Sequence, residues 1–292
     1  MPLLLLLLSV PCVWTQGIES RAALEAAGIK RLCNDAELAS REALPTPGIV
    51  ARAGVASPTR SPWIVANGWR FMRHPGRKYA YDVPAGKAAL AAAETFAYGA
   101  DAVVKVDPAD AGNLGAMLTF LERLPALDLP VVADLAVVED GSAVTGEVMN
   151  LLARRNLLFQ VVQTPSPRVR INITMGDAGY PVADAADPNA FALKIRRQLT
   201  DEQRSLRIYG SEVVICRLTG DASRARLHLI NYGGREIDGL RVRLRGSYRS
   251  GEAHIAGTGR LPLQDHIVAD GFTEFSLPRF ATYAAIDLEA GR

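Results

Sequence analysis

Four acidic residues lie within or directly after apolar segments that have the pattern of buried strands. They are Asp107, Asp134, Glu139 and Asp140. In open α/β sheets, ligands bind beyond the carboxyl ends of the strands, and a pair of carboxyl groups there can act as general acid and general base. These residues are therefore our candidate catalytic set. The alternative is structural, because acidic residues at strand ends often cap helices and form turns.

A second candidate site lies in residues 45–86, a segment rich in proline and glycine that contains two of the three tryptophans. Flexible linkers are polar, so this aromatic content predicts an ordered excursion over the surface, where binding sites are often built. Indole rings can stack on a ligand, and amide and guanidinium groups can hydrogen-bond it. The alternative is that these side chains pack under a long loop. The candidate ligand-binding residues are Trp63, Asn67, Trp69, Arg70 and Arg73.

The sequence lacks the motifs that are typical of zinc sites, nucleotide sites and α/β-hydrolases. The four histidines, His74, His228, His254 and His266, have neither i,i+4 nor H-x-H spacing, whereas zinc needs three or four convergent ligands. Residues 141–146 precede a predicted helix but lack G-x-G-x-x-G and a Walker lysine. A G-x-S-x-G elbow does not occur either. We therefore expect no metal site and no cofactor.

Charge gives no general argument for a nucleic-acid partner, because 33 basic and 31 acidic residues leave a net charge of +2. The basic residues are nevertheless clustered in the last third of the chain. Within residues 240–245 they alternate with apolar residues, which places them on one face of a strand. We predict a solvated outer face there, with an anionic ligand or partner surface as the alternative. The clustered residues are Arg224, Arg226, Arg235, Arg241, Arg243, Arg245 and Arg249.

The secondary-structure pattern of the sequence changes near residue 206. Residues 17–205 alternate helix-like stretches with nearly continuous apolar runs, which predicts an α/β domain with a parallel sheet of flavodoxin-like or incomplete-barrel type. A complete (β/α)₈ barrel needs about 250 residues and does not fit. Residues 206–292 contain seven short strand patterns separated by turn signals, which predicts an all-β antiparallel sandwich.

The N-terminal residues 1–16 begin with a leucine-rich run that is too short to span a bilayer. The run is typical of a signal peptide, so we expect export to the periplasm or the extracellular space. The alternatives are a buried N-terminal strand and a misassigned start. No other long apolar run predicts a membrane span. Whether Cys33 and Cys216 form a disulfide stays open, although Cys216 lies in an alternating strand pattern typical of a small buried residue.

Three segments of the last third, residues 226–233, 239–244 and 275–288, resemble the C-terminal β-sandwich of multidomain glycoside hydrolases. Residues 133–173 resemble the flavodoxin-like or amidotransferase-like module that follows the barrel in β-galactosidase-type enzymes. The resemblance implies a carbohydrate-related context. It does not extend to amidotransferase chemistry, because no cysteine or histidine lies between His74 and Cys216.

These patterns support three hypotheses for function. The first is an exported carbohydrate-associated protein, a non-catalytic or degenerate relative of glycoside hydrolases that binds glycan. The second is an active glycosidase that uses two of the four candidate carboxylates, since glycoside hydrolysis needs one protonated and one ionised carboxyl group. The third is a structural module whose sandwich forms a homo-oligomer interface. Whether the chain is an enzyme stays open at this point.

Overall fold

The first of the molecule's sheets has five parallel strands. The computed structural model describes residues 10–15, 17–44 and 66–291. The strand order is β2-β1-β5-β4-β3, so β2 lies on one side of β1 and the other three on the other side, as in flavodoxin-like folds. The strands are β1 (Cys12–Trp14), β2 (Leu32–Cys33), β3 (Glu42–Ala43), β4 (Lys78–Asp82) and β5 (Asp101–Lys105). The prediction of a parallel α/β domain is confirmed.

Five helices accompany this sheet and follow local sequence signals. The Asn34 side chain accepts a hydrogen bond from the Glu37 backbone, and Glu37 bonds back to Asn34, which forms a capping box. This helix ends at Ala39, because β3 begins at Glu42 and pairs with β4. The helices are α1 (Gly17–Ala26), α2 (Asp35–Ala39), α3 (Gly68–Met72), α4 (Ala88–Ala97) and α5 (Ala111–Glu122).

A second, smaller parallel sheet follows instead of an extension of the first. Its order is β7-β6-β8. The apolar run of residues 129–138 is divided, because residues 130–132 pair with an edge of the following β domain and β6 begins only at Leu135. The elements are β6 (Leu135–Val138), α6 (Ala143–Arg154), β7 (Phe159–Val162), β8 (Ile171–Ile173) and α7 (Pro188–Leu199).

The remaining strands form two antiparallel sheets, as predicted for the sandwich. Their orders are β10-β11-β17-β13-β14 and β15-β16-β12-β9. All seven predicted strands are present, and the short strands β9 and β14 were not predicted. The strands are β9 (Leu206–Tyr209), β10 (Val214–Gly220), β11 (Arg224–Asn231), β12 (Leu240–Arg245), β13 (Ser250–Ile255), β14 (Gly259–Pro262), β15 (Gln264–Ala269), β16 (Phe272–Leu277) and β17 (Tyr283–Glu289).

The sheet that contains β11 and β17 is buried on both faces. Alternate residues such as Leu227 and Ile286 pack into the sandwich core. The opposite face packs against the α/β domain, where Tyr283 lies edge-on to both Phe96 of α4 and Phe120 of α5. The junction near residue 206 is therefore a continuous packed interface and not a flexible linker.

The N-terminal segment participates in the fold. Strand β1 lies between β2 and β5, and a disulfide joins Cys12 to Cys33 across β1 and β2. Cys216 is buried and free, so it does not pair with Cys33. Cleavage after residue 16 would remove β1. Residues 12–14 form a buried strand, which is one of the alternatives to a signal peptide. Among the described residues, no helix is long and apolar enough to cross a bilayer.

Candidate functional site

The predicted ligand-binding residues of the aromatic segment are buried where the structure describes them. Trp63 lies outside the described residues. Trp69 is only 1% exposed and donates from Nε1 to the Ala66 carbonyl at 2.8 Å. Asn67 and Arg70 are buried beside it and bond to each other. No face of the Trp69 ring is open to a ligand, so the packing alternative describes this part of the segment.

A buried glutamate in α4 holds this segment in place. The Glu94 carboxylate accepts hydrogen bonds from the backbone N–H groups of Asn67 at 2.5 Å and Gly68 at 2.7 Å, and from the Tyr232 hydroxyl. Burial raises the pKa of Glu94 above its ordinary value, although these donors act in the opposite direction. Because Tyr232 follows β11, the network ties the start of α3 to the sandwich as well as to α4.

Arg73 and Glu139, predicted as a ligand-binding and a catalytic residue, form a buried ion pair with each other. Arg73 donates to Glu139 from Nε at 2.7 Å and from Nη2 at 2.5 Å, and the two side chains are 9% and 4% exposed. The bond to Glu139 raises the pKa of Arg73. Gly146 of α6 leaves room for the guanidinium, since a Cβ there would lie 2.8 Å from Nη1. The pair joins the end of α3 to the start of α6.

The other predicted catalytic residues also accept local hydrogen bonds. Asp134 accepts from the Ser205 backbone at 3.0 Å and from its hydroxyl at 2.5 Å, and burial raises the pKa of Asp134. Asp140 accepts from the Ser142 backbone at 2.8 Å, and Asp107 caps a 3₁₀ turn through Ala109. These are the cap and turn roles of the structural alternative.

The spacing of these carboxylates limits which of them can act together. Asp134 precedes β6 and Glu139 follows it, so the two backbones are about 16 Å apart at roughly 3.3 Å per residue. Catalytic carboxyl pairs of glycosidases lie about 5–10 Å apart. Asp134 therefore does not share a cleft with Glu139 and Asp140. Asp107 follows β5 in the other parallel sheet, and a role for it stays a prediction.

An open groove of about 720 Å³ lies between α5 with its following loop and the sandwich. One wall is largely apolar and contains Phe120, Leu124 and Pro125. The opposite wall belongs to β11, β17, β13, β14 and the turn between β13 and β14. It carries a dense set of charged and polar side chains, namely Arg224, Glu252, His254, Arg260, Asp287 and Glu289.

Strand register assembles the charged wall. Asp287 of β17 lies directly opposite Arg226 of β11 on one side and opposite Glu252 of β13 on the other. Side chains directly opposite each other in a sheet point to the same face. His254, two residues after Glu252, also shares that face. Asp287, Glu252 and His254 thus form a row on the groove wall, and Arg226 lies buried beside Asp287.

The row is connected by ion pairs. Arg226 is 1% exposed and donates to Asp287 from Nε and Nη2, each at 2.6 Å. The Nε2 atom of His254 lies 3.4 Å from Asp287 Oδ2 and 3.7 Å from Glu252 Oε2. Arg260 forms an ion pair with Glu252. The result is a cluster of donors and acceptors, fixed on rigid strands, that faces an apolar wall.

Sequence reasoning missed this row. Alternation alone places Glu252 and His254 on one face of a strand, which was a usable signal. Their partner Asp287 is supplied by the last strand of the chain, and only the antiparallel pairing of β13 with β17 reveals it. Within the described ranges, no group of three or more histidine, cysteine or carboxylate side chains could hold a metal ion.

Comparison with solved structures relates this architecture to known proteins. An α-L-fucosidase, isoenzyme 2 from Paenibacillus thiaminolyticus, superposes with a TM-score of 0.59 at 10% identity, over 91% of this chain and 69% of the fucosidase. The chain is similar in structure to multidomain glycoside hydrolases. A GH42 β-galactosidase from G. stearothermophilus matches at a TM-score of 0.44 and 8% identity, over 72% of this chain and 53% of that enzyme.

No protein-family model matches the sequence, and no curated protein sequence matches it either. At identities near 10%, the structural likeness shows the fold alone. At that level, the resemblance predicted from the sequence is confirmed. The chain spans about half the length of the β-galactosidase.

Proposed function

We propose that this chain is a carbohydrate-binding relative of glycoside hydrolases and that it binds glycan in the groove between α5 and the sandwich. The groove volume of about 720 Å³ lies within the usual range for small-molecule sites, roughly 300–1,000 Å³. That space accommodates a short saccharide. The groove is also located between two packed domains, which is a common place for ligand sites.

The observation that carries this proposal is the row Asp287–Glu252–His254 on the groove wall, opposite a largely apolar wall, with buried Arg226 fixing Asp287 from behind. A sugar ring presents hydroxyl groups at its edge and C–H groups on its face. The row offers charged acceptors and donors for hydroxyls, and charge-assisted hydrogen bonds are the stronger ones. Phe120 and Leu124 offer an apolar surface for the ring face.

The ion pairs favour binding over hydrolysis in this groove. A glycosidase needs one carboxyl group that is protonated, in addition to an ionised one. Here Glu252 is paired with Arg260 and Asp287 with Arg226, so both carboxylates are held by guanidinium groups. The chemistry supported by this arrangement is hydrogen bonding to a ligand rather than proton donation to a leaving group.

A glycan array followed by calorimetric titration of the bound saccharide tests the proposal. We expect Glu252→Gln and Phe120→Ala to weaken binding by about 10-fold or more, which corresponds to the loss of one good contact. Glu42→Gln is the matched control, because Glu42 also pairs with an arginine, Arg77, but lies outside the groove. Absence of any array signal, or equal binding by Glu252→Gln and Glu42→Gln, would contradict glycan binding in the groove.

The same variants separate binding from catalysis. We expect no turnover of aryl glycosides by the unmodified chain. Turnover that disappears in Glu252→Gln would establish the glycosidase alternative and place its site in the groove. Turnover that persists in Glu252→Gln but is lost in Asp107→Asn would move the active site to the carboxyl edge of the five-stranded sheet.

We also propose that the protein is exported. The Cys12–Cys33 disulfide supports this, because such bonds persist in oxidising compartments. Retention of Cys12 requires that any leader cleavage occurs before that residue. Mass spectrometry after thiol alkylation, performed on periplasmic and extracellular fractions, should find Cys12 and Cys33 protected and Cys216 as the only free thiol. Recovery of the protein in the cytoplasm with all three thiols free would refute export.

A further inference from the structure

A second charged surface lies on the other sheet of the sandwich, away from the groove. Six arginines gather there, on the outer face of the sheet β15-β16-β12-β9, at the adjoining end of α7 and in the segment between α7 and β9. We call them the arginine cluster: Arg196, Arg204, Arg207, Arg241, Arg243 and Arg245. Leu240, Val242 and Leu244 alternate with three of them and fill the core, so strand periodicity directs these three arginines outward.

Acidic partners are too few for these charges. Asp201 lies 3.5–3.7 Å from the guanidinium groups of Arg196, Arg204 and Arg207 at once. Glu274 is shared between Arg241 and Arg243, each at 2.8 Å. Arg245 bonds to the backbone carbonyl of Glu202. The charge of Asp134 also interacts with Arg204 and Arg245, and that of Glu202 with Arg207, so four carboxylates serve six arginines.

Strand register adds a direct like-charge contact. Arg207 of β9 lies opposite Arg243 of β12. Like charges directly opposite each other in a sheet are destabilising. Arg243 also stacks on the Phe272 ring, with its guanidinium carbon 4.0 Å from the ring centre. This stacking fixes the orientation of the guanidinium without neutralising its charge.

Three buried donors in the arginine cluster have no acceptor among the described residues. They are the Nε–H groups of Arg204, Arg207 and Arg243. Arg204 is only 6% exposed, and burial together with the charge of Arg196 lowers its pKa. A buried donor without a partner is costly, and more so when it is charged. The missing element, in both charge and hydrogen bonding, is an anionic acceptor.

We propose that the arginine cluster binds an oxyanion, either a free inorganic anion or the sulfate, phosphate or carboxylate substituent of an acidic saccharide. The planar guanidinium fork donates two parallel hydrogen bonds to a pair of oxygens on such anions. An anion between Arg204, Arg207 and Arg243 would separate the like charges and accept the free Nε–H donors. This site lies on the opposite side of the sandwich core from the groove and does not depend on glycan binding there.

Thermal unfolding in sodium sulfate and in sodium chloride of equal ionic strength tests the proposal. At sulfate concentrations about 100-fold above the dissociation constant, we expect the melting temperature to exceed that in chloride by about 5 °C and to saturate. Arg207→Gln and Arg243→Gln should lose most of this increment. Arg279→Gln, an exposed arginine that pairs with Glu236 and Asp238, is the control and should retain it.

Sulfate also stabilises proteins in general because it is excluded from their surfaces, and the variants distinguish this effect. An equal, non-saturating increment in the parent chain and in Arg207→Gln would overturn the proposal. A calorimetric titration with a sulfated disaccharide and its neutral parent then identifies the source of the anion. Binding of the sulfated sugar alone, lost in Arg207→Gln, supports a saccharide substituent, whereas saturation by inorganic sulfate only supports a free anion.

Discussion

Two sets of charged side chains in this protein have similar composition and opposite environments. The set around α3, with Glu94, Arg73 and Glu139, is buried and bonds only within the protein. The groove set, with Glu252, His254 and Asp287, forms ion pairs on the wall of an open groove. The difference shows that a position at the end of a strand does not by itself make a carboxylate available to a ligand. What decides availability is whether the surrounding helices supply it with donors.

The largest effect that tests this comparison is expected at the buried pair. Glu139→Gln leaves the Arg73 charge buried without a charged partner, which typically costs about 3–5 kcal/mol. Glu42→Gln breaks an exposed pair with Arg77 and should cost less than about 1 kcal/mol. Urea unfolding of both variants measures the difference. Equal midpoints would mean that the α3 pair is no more important for stability than a surface pair.

The room around Arg73 provides a smaller test. In Gly146→Ala the new methyl group meets Arg73 and, at 3.6 Å, the Trp69 ring, and such overpacking costs about 1–3 kcal/mol. Gly112→Ala in α5 has open space and should stabilise the protein by about 0.5–1 kcal/mol. Thermal unfolding should shift in opposite directions for the two variants. A shared direction would show that Gly146 has no packing role.

The pH dependence of stability tests the buried state of Glu94. Its folded pKa is raised by burial, so folding favours the protonated form. Below the unfolded pKa there is no penalty. As pH rises through the unfolded and then the folded pKa, the native protein loses stability, by about 1.4 kcal/mol for each unit of the shift. Glu94→Gln lacks this titration, so its stability relative to the parent should increase from pH 4 to pH 8.

Denaturant unfolding across that pH range measures the effect for Glu94→Gln. A stability difference that does not vary with pH, or one that moves in favour of the parent chain as pH rises, contradicts a raised pKa at Glu94. The Tyr232→Phe variant examines the same network from the sandwich side, because it removes one donor to Glu94. It should enlarge the loss of parent stability at high pH.

The smallest stability effects are expected in the groove. Glu252→Gln changes a side chain that lines an open surface, and we expect it to alter the unfolding free energy by about 0.5 kcal/mol or less. Asp287 is not a suitable target, because its loss would leave buried Arg226 unpaired. If Glu252→Gln lowered the unfolding free energy by several kcal/mol, the groove set would be as important for stability as the set around α3, and the contrast between the two regions would be lost.

Local pattern was sufficient for much of the fold. Apolar periodicity correctly predicted the parallel α/β part, the sandwich and the seven longer strands, because burial on one or both faces leaves a direct mark on a strand. The capping signal at Asn34 located the start of α2. Pattern failed where the chain changes partner, as in residues 129–138, which are divided between β10 and the small parallel sheet.

The sequence by itself determined the modular architecture, since hydrophobic period and turn residues are local properties. Tertiary packing sets which polar side chains remain accessible to a ligand. It places Arg73 and Glu139 in one buried ion pair and joins Cys33 to Cys12. It also aligns Glu252 with Asp287 across two strands. These outcomes depend on strand register and helix docking between residues far apart in the chain, and no window of local sequence contains that information.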